Sequence, residues 1–349
     1  MTDISEMNTK KMITSLLPYN SISIIGMEKN SGKTTTLNYI LKNLKGTKVI
    51  GLTSIGRDGE DCDRVTNTHK PKIYVEKGSI VATAKNLLCK CDITKEILAA
   101  TGISTPMGEI IIMRALSNGF VDVAGPSYNS ALIKVRDLML DFGCDLVLID
   151  GALSRKGSAG NLVSEASILA TGASFSPDLT KVVEESSHNV KMLQLPKCSD
   201  NIADLTREIL KTGKIGFVDT QSNIEVLDLP TSLNSHREIV DAVKPNHKYL
   251  VLGGAVSKGL IESIIQNREL FKSFTIVIED GTKIFIDSNM YHKLSMIPVK
   301  LEVLDSINLL YLTCNPTSPY GYSFESEKFC ELLKTSIDID VVDVVGGEL

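Results

Sequence analysis

Near the start of the chain, Gly26-Met27-Glu28-Lys29-Asn30-Ser31-Gly32-Lys33-Thr34-Thr35 combines small residues, hydroxyls, an amide and an ammonium group at the spacing that binds phosphate. A loop of this kind, placed between a buried strand and a helix, turns successive backbone N–H groups into an anion-sized hollow. The helix start adds its partial positive charge. Gly32 allows close backbone approach, Lys33 neutralises the β and γ phosphates of a nucleoside triphosphate, and the Thr34 hydroxyl ligates magnesium. Lys29, Asn30, Ser31 and Thr35 complete the binding set. The expected cofactors are ATP and Mg2+; no convincing Asn-Lys-x-Asp sequence marks guanine. One departure stands out. The common spacing puts glycine five residues before Gly32, where this chain has Met27, and its glycine comes one step earlier at Gly26.

Two acids are expected to complete the chemistry. Asp150 ends the apolar run Asp145 to Ile149, where a carboxylate can hold magnesium through water, although an Asp-Gly turn is the plainer alternative. Asp58 follows the second expected strand, with Glu60 and Asp61 as competitors and a solvated acidic loop as the bland reading. Lys33, Asp150 and Asp58 are the candidate catalytic residues, and Thr34, Asp58 and Asp150 the candidate metal ligands. The segment Gly151 to Gly160 carries Arg155 and Lys156, either phosphate contacts or a solvated basic turn. Thr171-Gly172 ends a further strand on the edge where open α/β sheets bind ligands, and is expected to touch base or substrate.

These residues need a frame. Ser21 to Gly26 reads as a strand, and Leu37, Ile40, Leu41 and Leu44 follow at helical spacing. Strands are expected at Lys48 to Leu52, Glu109 to Met113, Phe120 to Val123, Ser167 to Ala170 and Lys191 to Leu195. A hairpin is expected around Lys77-Gly78, and a helix from Asn129 to Phe142 closed by Gly143. The alternation predicts an α/β fold: a parallel sheet with flanking helices, plus a second, smaller α/β domain. Expected boundaries are an extension over 1–18, a nucleotide-binding domain over 19–196 and a C-terminal domain over 197–349. In the last, a hairpin is predicted through Asp280-Gly281, a strand at Leu309 to Thr313 and a helix from Glu325 to Lys334. The loop Asn315 to Tyr322 (NPTSPYGY) reads as a rigid crossover or a surface for a partner.

The charge of −5 carries no clustered basic stripe, so nucleic acid is not an expected partner. No run of about 18 apolar residues and no basic-then-apolar leader stands in the sequence, so no membrane is expected and the address is cytoplasmic. Seven cysteines without framework spacing fit reduced thiols. Cys89-Lys90-Cys91 lacks the further ligands a zinc site needs, and the five histidines are scattered.

The stretch EKNSGKTT resembles the loop of the SIMIBI division of P-loop proteins, which includes dethiobiotin synthetase and the nickel and cobalamin metallochaperones. Many members carry an extra lysine four residues before the second motif glycine and use it in trans, whereas Lys29 stands three before Gly32, a departure from that spacing. GMEKNSGKTTTLNY, LTSIGRDGE, TGISTPMGE, VDVAGPS, VLIDGALSRK, LATGAS and NPTSPYGYSF together resemble the P-loop subunit of reactivating factors for lysine 5,6-aminomutase. That resemblance implies an ATP-dependent chaperone. Its partners would be a cobalamin-dependent aminomutase and a second reactivase subunit, in an oligomeric assembly. The rival expectations are a small-molecule kinase or ATP-dependent ligase, and a module that holds nucleotide without turning it over.

Overall fold

A computed structural model of the chain describes residues 2–56, 72–151, 163–229 and 231–345. The chain divides into two compact units, residues 1–187 with 308–349, and residues 188–307.

In the first unit the order is α1 (Thr2–Leu16), β1 (Ser21–Gly26), α2 (Lys33–Asn43), β2 (Ile50–Ser54), β3 (Ile73–Val75), β4 (Ile80–Ala84), β5 (Lys95–Thr105), β6 (Gly108–Ala115), β7 (Gly119–Val121), α3 (Asn129–Asp141), β8 (Leu146–Asp150), β9 (Ala166–Gly172) and α4 (Leu179–Leu193), within which the division falls. The second unit holds α5 (Asp200–Lys211), β10 (Ile215–Asp219), β11 (Ile224–Leu227), α6 (His236–Asp241), β12 (His247–Leu252), β13 (Val256–Ser257), α7 (Lys258–Gln266), β14 (Thr275–Ile278), β15 (Ile284–Phe285), α8 (Ser288–Ser295) and β16 (Lys300–Val303). The chain then returns to the first unit as β17 (Leu309–Asn315), α9 (Ser326–Ser336) and β18 (Asp340–Asp343).

The architecture is α/β, built on a mixed nine-stranded sheet in the order β18-β17-β9-β1-β8-β2-β4-β6-β5. From β18 to β4 the neighbours pair in parallel; β6 and β5 close the edge antiparallel. β8 shows why its sequence is almost wholly apolar. Leu146 and Leu148 pack on one face with Leu37 and Ile40 of α2, while Val147 and Ile149 pack on the other with Leu132, Val135 and Met139 of α3. A parallel strand covered on both faces has no polar side to show. α3 ends where expected: Gly143 takes φ 95°, its N–H donates to Leu140 O, and the Cys144 N–H reaches back to Met139 O. This left-handed cap satisfies the last carbonyls of the helix.

The second unit is a five-stranded sheet, β11-β10-β12-β14-β16, in which β12, β14 and β16 are parallel. Ile202, Ala203 and Ile209 of α5 cover one face; Leu260, Ile261 and Ile264 of α7 and Met290 and Leu294 of α8 cover the other. Among the described residues no helix is long and apolar enough to cross a membrane.

Four expectations are corrected. Residues from Leu309 onward belong with the first sheet, because β17 pairs in parallel with β9, so in place of the expected 197–349 domain the second unit is an insertion over residues 188–307. The turn at Lys77-Gly78 exists, with Ser79 N–H donating to Glu76 O, but it makes no hairpin. β4 is buried throughout and joins β2 and β6, while β3 pairs with β7. Burial of Ile80 to Ala84 on both faces outweighs the local turn. Asp280-Gly281 likewise joins no hairpin: β14 lies between β12 and β16, and β15 pairs with β13. A Cβ on Gly281 would fall 2.0 Å from Met192 O, so the chain there packs against backbone rather than folding back. Lys191 to Leu195, expected as a strand, includes the last turn of α4, where Val182, Ser186, Val190 and Leu193 recur at helical spacing as buried residues.

Candidate functional site

Parallel pairing brings the ends of four strands to one edge of the large sheet. Ile24 stands opposite Asp150, Gly26 opposite Ala170, and Gly172 opposite Asn315. This carboxyl edge is where open α/β sheets leave a crevice for ligands. Between β1 and α2 the chain crosses the edge as the loop 27–32, fixed at its start by the Met27 N–H donating to Ala170 O at 3.0 Å.

Backbone conformation at the end of this loop selects its residues. Asn30 takes φ 63° and Gly32 takes φ 98°, both left-handed, which asparagine tolerates and glycine adopts freely. A Cβ on Gly32 would lie 2.8 Å from Cβ of Asn315, so close packing as well as torsion requires glycine. Gly32 caps α2 without a side chain, and the first-turn N–H groups have no carbonyl a turn earlier to bond.

Gly26 is also constrained. A Cβ there would meet Ser31 Oγ at 2.3 Å and Lys33 Cγ and Nζ at 2.9 Å, so the hydroxyl and the ammonium stand over the bare α-carbon. That space is the reason glycine sits at Gly26. Met27, at the commoner glycine position, is buried, and its sulfur accepts from the Ser186 hydroxyl at 3.1 Å.

Lys33 Nζ donates to Glu28 O at 3.0 Å, folding the side chain back over its own loop. Burial pulls its pKa below the usual lysine value, opposed by the nearby Asp150 and Glu28 carboxylates. Burial pushes the Glu28 carboxyl up, opposed in part by the Ser174 hydroxyl and then by Lys33. The Ser31 hydroxyl is fully buried and has no hydrogen-bond partner among the described residues, while the buried Ser174 hydroxyl just past β9 interacts with the Glu28 carboxyl. Leaving a buried hydroxyl unpaired costs about 1–3 kcal/mol, so Ser31 marks a place where a polar group belongs.

The predicted residues do not all converge. Lys29, Asn30, Ser31, Gly32, Lys33, Thr34 and Thr35 occupy the loop and the first turn, with Lys29 exposed and Thr34 and Thr35 half-buried. Asp150 ends β8 beside β1, its carbonyl accepting from Ile55 N–H. Asp58, Glu60, Asp61, Arg155 and Lys156 lie outside the described residues. The Thr171 side chain is fully buried and shares a 2.8 Å hydrogen bond with the Ser186 hydroxyl, which packs α4 onto β9. Gly172 serves close approach, since a Cβ there would fall 2.7 Å from Asn315 O and 3.2 Å from Ser31 O.

Asn315, Ser174 and Glu28 belong to the same neighbourhood and were not expected there. The signal for Asn315 was the buried run Leu309 to Thr313 leading to it, as each strand of this edge leads to a polar or glycine residue. Behind it, Tyr322 donates to Ala173 O at 2.6 Å, tying the NPTSPYGY loop to the end of β9. No family model matches the chain, and no curated protein or solved structure is significantly similar to it. Among the described residues no group of three His, Cys, Asp or Glu side chains could hold a metal by itself.

Proposed function

We propose that the chain binds a nucleoside triphosphate, ATP, with magnesium at the loop from Gly26 to Thr35, and hydrolyses it as the reactivating subunit of a cobalamin-dependent aminomutase. The observation that carries the nucleotide part is the cradle over Gly26. The Ser31 hydroxyl and the Lys33 ammonium meet over the bare α-carbon of Gly26, and the left-handed Gly32 opens the helix next to them. This donor set fits a phosphate group: it offers a hydroxyl, a cation and helix N–H groups where a side chain at residue 26 would have filled the space. Lys33 would exchange Glu28 O for phosphate oxygens. The Thr34 hydroxyl and Asp150, with Asp58 from outside the described residues, would hold magnesium, Asp150 through water. Bound ATP would supply a phosphoanhydride bond whose hydrolysis could drive a switch in affinity for a client. The chain's contribution is positioning and charge neutralisation.

The aminomutase client and the second subunit rest on the resemblance of the motifs and on no feature of the fold. Phosphate release by the purified chain is the test, measured alone and with a purified cobalamin-dependent aminomutase carrying inactivated cofactor. Stimulation by the aminomutase is the expected result. Stimulation by small carboxylic acids instead would establish a kinase or ligase, a reading that exposed Lys29 at the loop keeps in play. Magnesium-dependent binding with no turnover under any of these conditions would establish a nucleotide-holding module.

A further inference from the structure

β17 presents alternate residues to opposite faces of the large sheet. The Thr313 hydroxyl shares a 2.7 Å hydrogen bond with Thr36 of α2, and Tyr311 packs in the core that contains Leu37 and Ile40, so both face α2. Cys314 therefore projects from the other face. α9 covers that face. Val342 of β18 packs into the α2-side core, so its neighbour Asp343 points away from α2, and Ser326 at the start of α9 donates its hydroxyl to Asp343. The buried residues of α9 are Phe329, Cys330 and Leu333, and at its far end Ser336 O accepts from the Ser187 hydroxyl.

Two thiols thus meet between a strand and the helix laid over it. Cys314 and Cys330 are neighbours there, and the Cys314 thiol donates to Val342 O at 3.7 Å. The neighbouring Cys314 thiol pushes the Cys330 thiol down towards the thiolate. Burial opposes this, and the Lys334 cation, one turn further along the helix, supports it. The same interaction, followed by burial, pushes Cys314 up. Cys314 is 1% exposed and Cys330 is 9% exposed, which keeps large thiol reagents away from both and leaves Cys330 the member nearer to small solutes. The other described cysteines differ: Cys89 is exposed, and Cys91, Cys144 and Cys198 are buried thiols that burial pushes up.

We propose that Cys314 and Cys330 form a modification site, a dithiol that a small peroxide converts to a reversible disulfide joining β17 to α9. The Cys330 thiolate attacks a peroxide oxygen, the O–O bond breaks and hydroxide leaves, giving a sulfenic acid on Cys330. The Cys314 sulfur then attacks that sulfur. The S–S bond forms, the S–O bond breaks, and the Cys314 proton leaves with hydroxide as water. The first hydroxide takes up the proton that Cys330 released in becoming a thiolate, so across both steps two thiols are oxidised, hydrogen peroxide is reduced and two waters form. Neither residue belongs to the phosphate loop, so this site stands whether or not the nucleotide reading does.

The test uses the reduced, full-length chain with stoichiometric hydrogen peroxide. Remaining thiols are then alkylated and the digest is read by mass spectrometry. The linked Cys314–Cys330 peptide is expected to form before Cys89 is modified, and dithiothreitol should return both thiols. Cys314→Ala should leave a sulfenic acid on Cys330 that dimedone, added together with denaturant, traps. The proposal is overturned if Cys314 and Cys330 both remain alkylatable while Cys89 is oxidised, or if either links to a different cysteine. The wild-type digest decides this alone, so a poorly folding variant does not remove the test.

Discussion

Gly26→Ala probes the cradle most sharply, because it adds one methyl group at the place where the loop departs from the common glycine spacing. The new carbon would sit 2.3 Å from Ser31 Oγ and 2.9 Å from both Cγ and Nζ of Lys33, all of which must move. Ser31 is fully buried and has nowhere to turn without shifting the loop, and Lys33 must give up Glu28 O. Overpacking of this kind costs about 1–3 kcal/mol. If that strain is relieved by moving the two groups out of the phosphate seat, the dissociation constant for magnesium triphosphate rises by about 5- to 150-fold. A fluorescent ATP analogue titrated with excess magnesium reads the affinity, and a thermal melt by circular dichroism shows how much protein is folded. Met27→Leu is the paired control at the commoner glycine position; a volume-conserving swap there costs less than about 1.5 kcal/mol and should leave affinity unchanged. The reasoning fails if Gly26→Ala binds as tightly as wild type, or if Met27→Leu weakens binding to the same extent.

Two further predictions follow from buried polar groups. Ser31→Ala removes an unpartnered hydroxyl worth about 1–3 kcal/mol of desolvation, so the nucleotide-free variant should melt higher than wild type while binding ATP more weakly; a lower melt with unchanged affinity would contradict it. In the second unit, burial raises the Asp280 carboxyl above its ordinary 3.8, with Thr282 opposing. The folded chain then holds this proton more tightly than the unfolded one. Its stabilising contribution is full below 3.8 and is lost as pH rises through the folded value. Asp280→Asn retains an acceptor for the Thr282 N–H, now at 2.7 Å, and removes the charge. Urea midpoints of the variant should therefore fall less steeply than wild type across that window, and parallel curves would refute the assignment.

Much of the site was legible because its chemistry is local. Strand, loop and helix from Ser21 to Asn43 follow in sequence, and the order of apolar and polar residues there records the order of burial. Asp150 was legible for a related reason: a strand covered on both faces is apolar to its end, so a terminal carboxylate shows plainly. Asn315 was not, because its place beside Gly32 depends on a chain return more than a hundred residues after β9, and no local pattern says which sheet a late strand joins. The failed hairpins have the same cause. Lys77-Gly78 and Asp280-Gly281 favour reversal, but pairing was decided by which strands could be buried among parallel neighbours. β5 went unread since it alternates mostly between half-buried and exposed residues and breaks register near Gly102, at φ 74°. The left-handed turn at Asn30 and the orphaned Ser31 hydroxyl are facts of geometry that residue types alone do not carry.

The central claim is that the Lys33 ammonium neutralises bound phosphate, and isothermal titration calorimetry of magnesium-ATP against wild type and Lys33→Ala tests it directly. Hydrogen bonds to a charged group contribute about 1.5–3 kcal/mol, so the variant should bind about 10- to 150-fold more weakly, with its melting temperature little changed in the absence of nucleotide. Equal dissociation constants for the two proteins, or no binding of magnesium-ATP by wild type, would contradict the account.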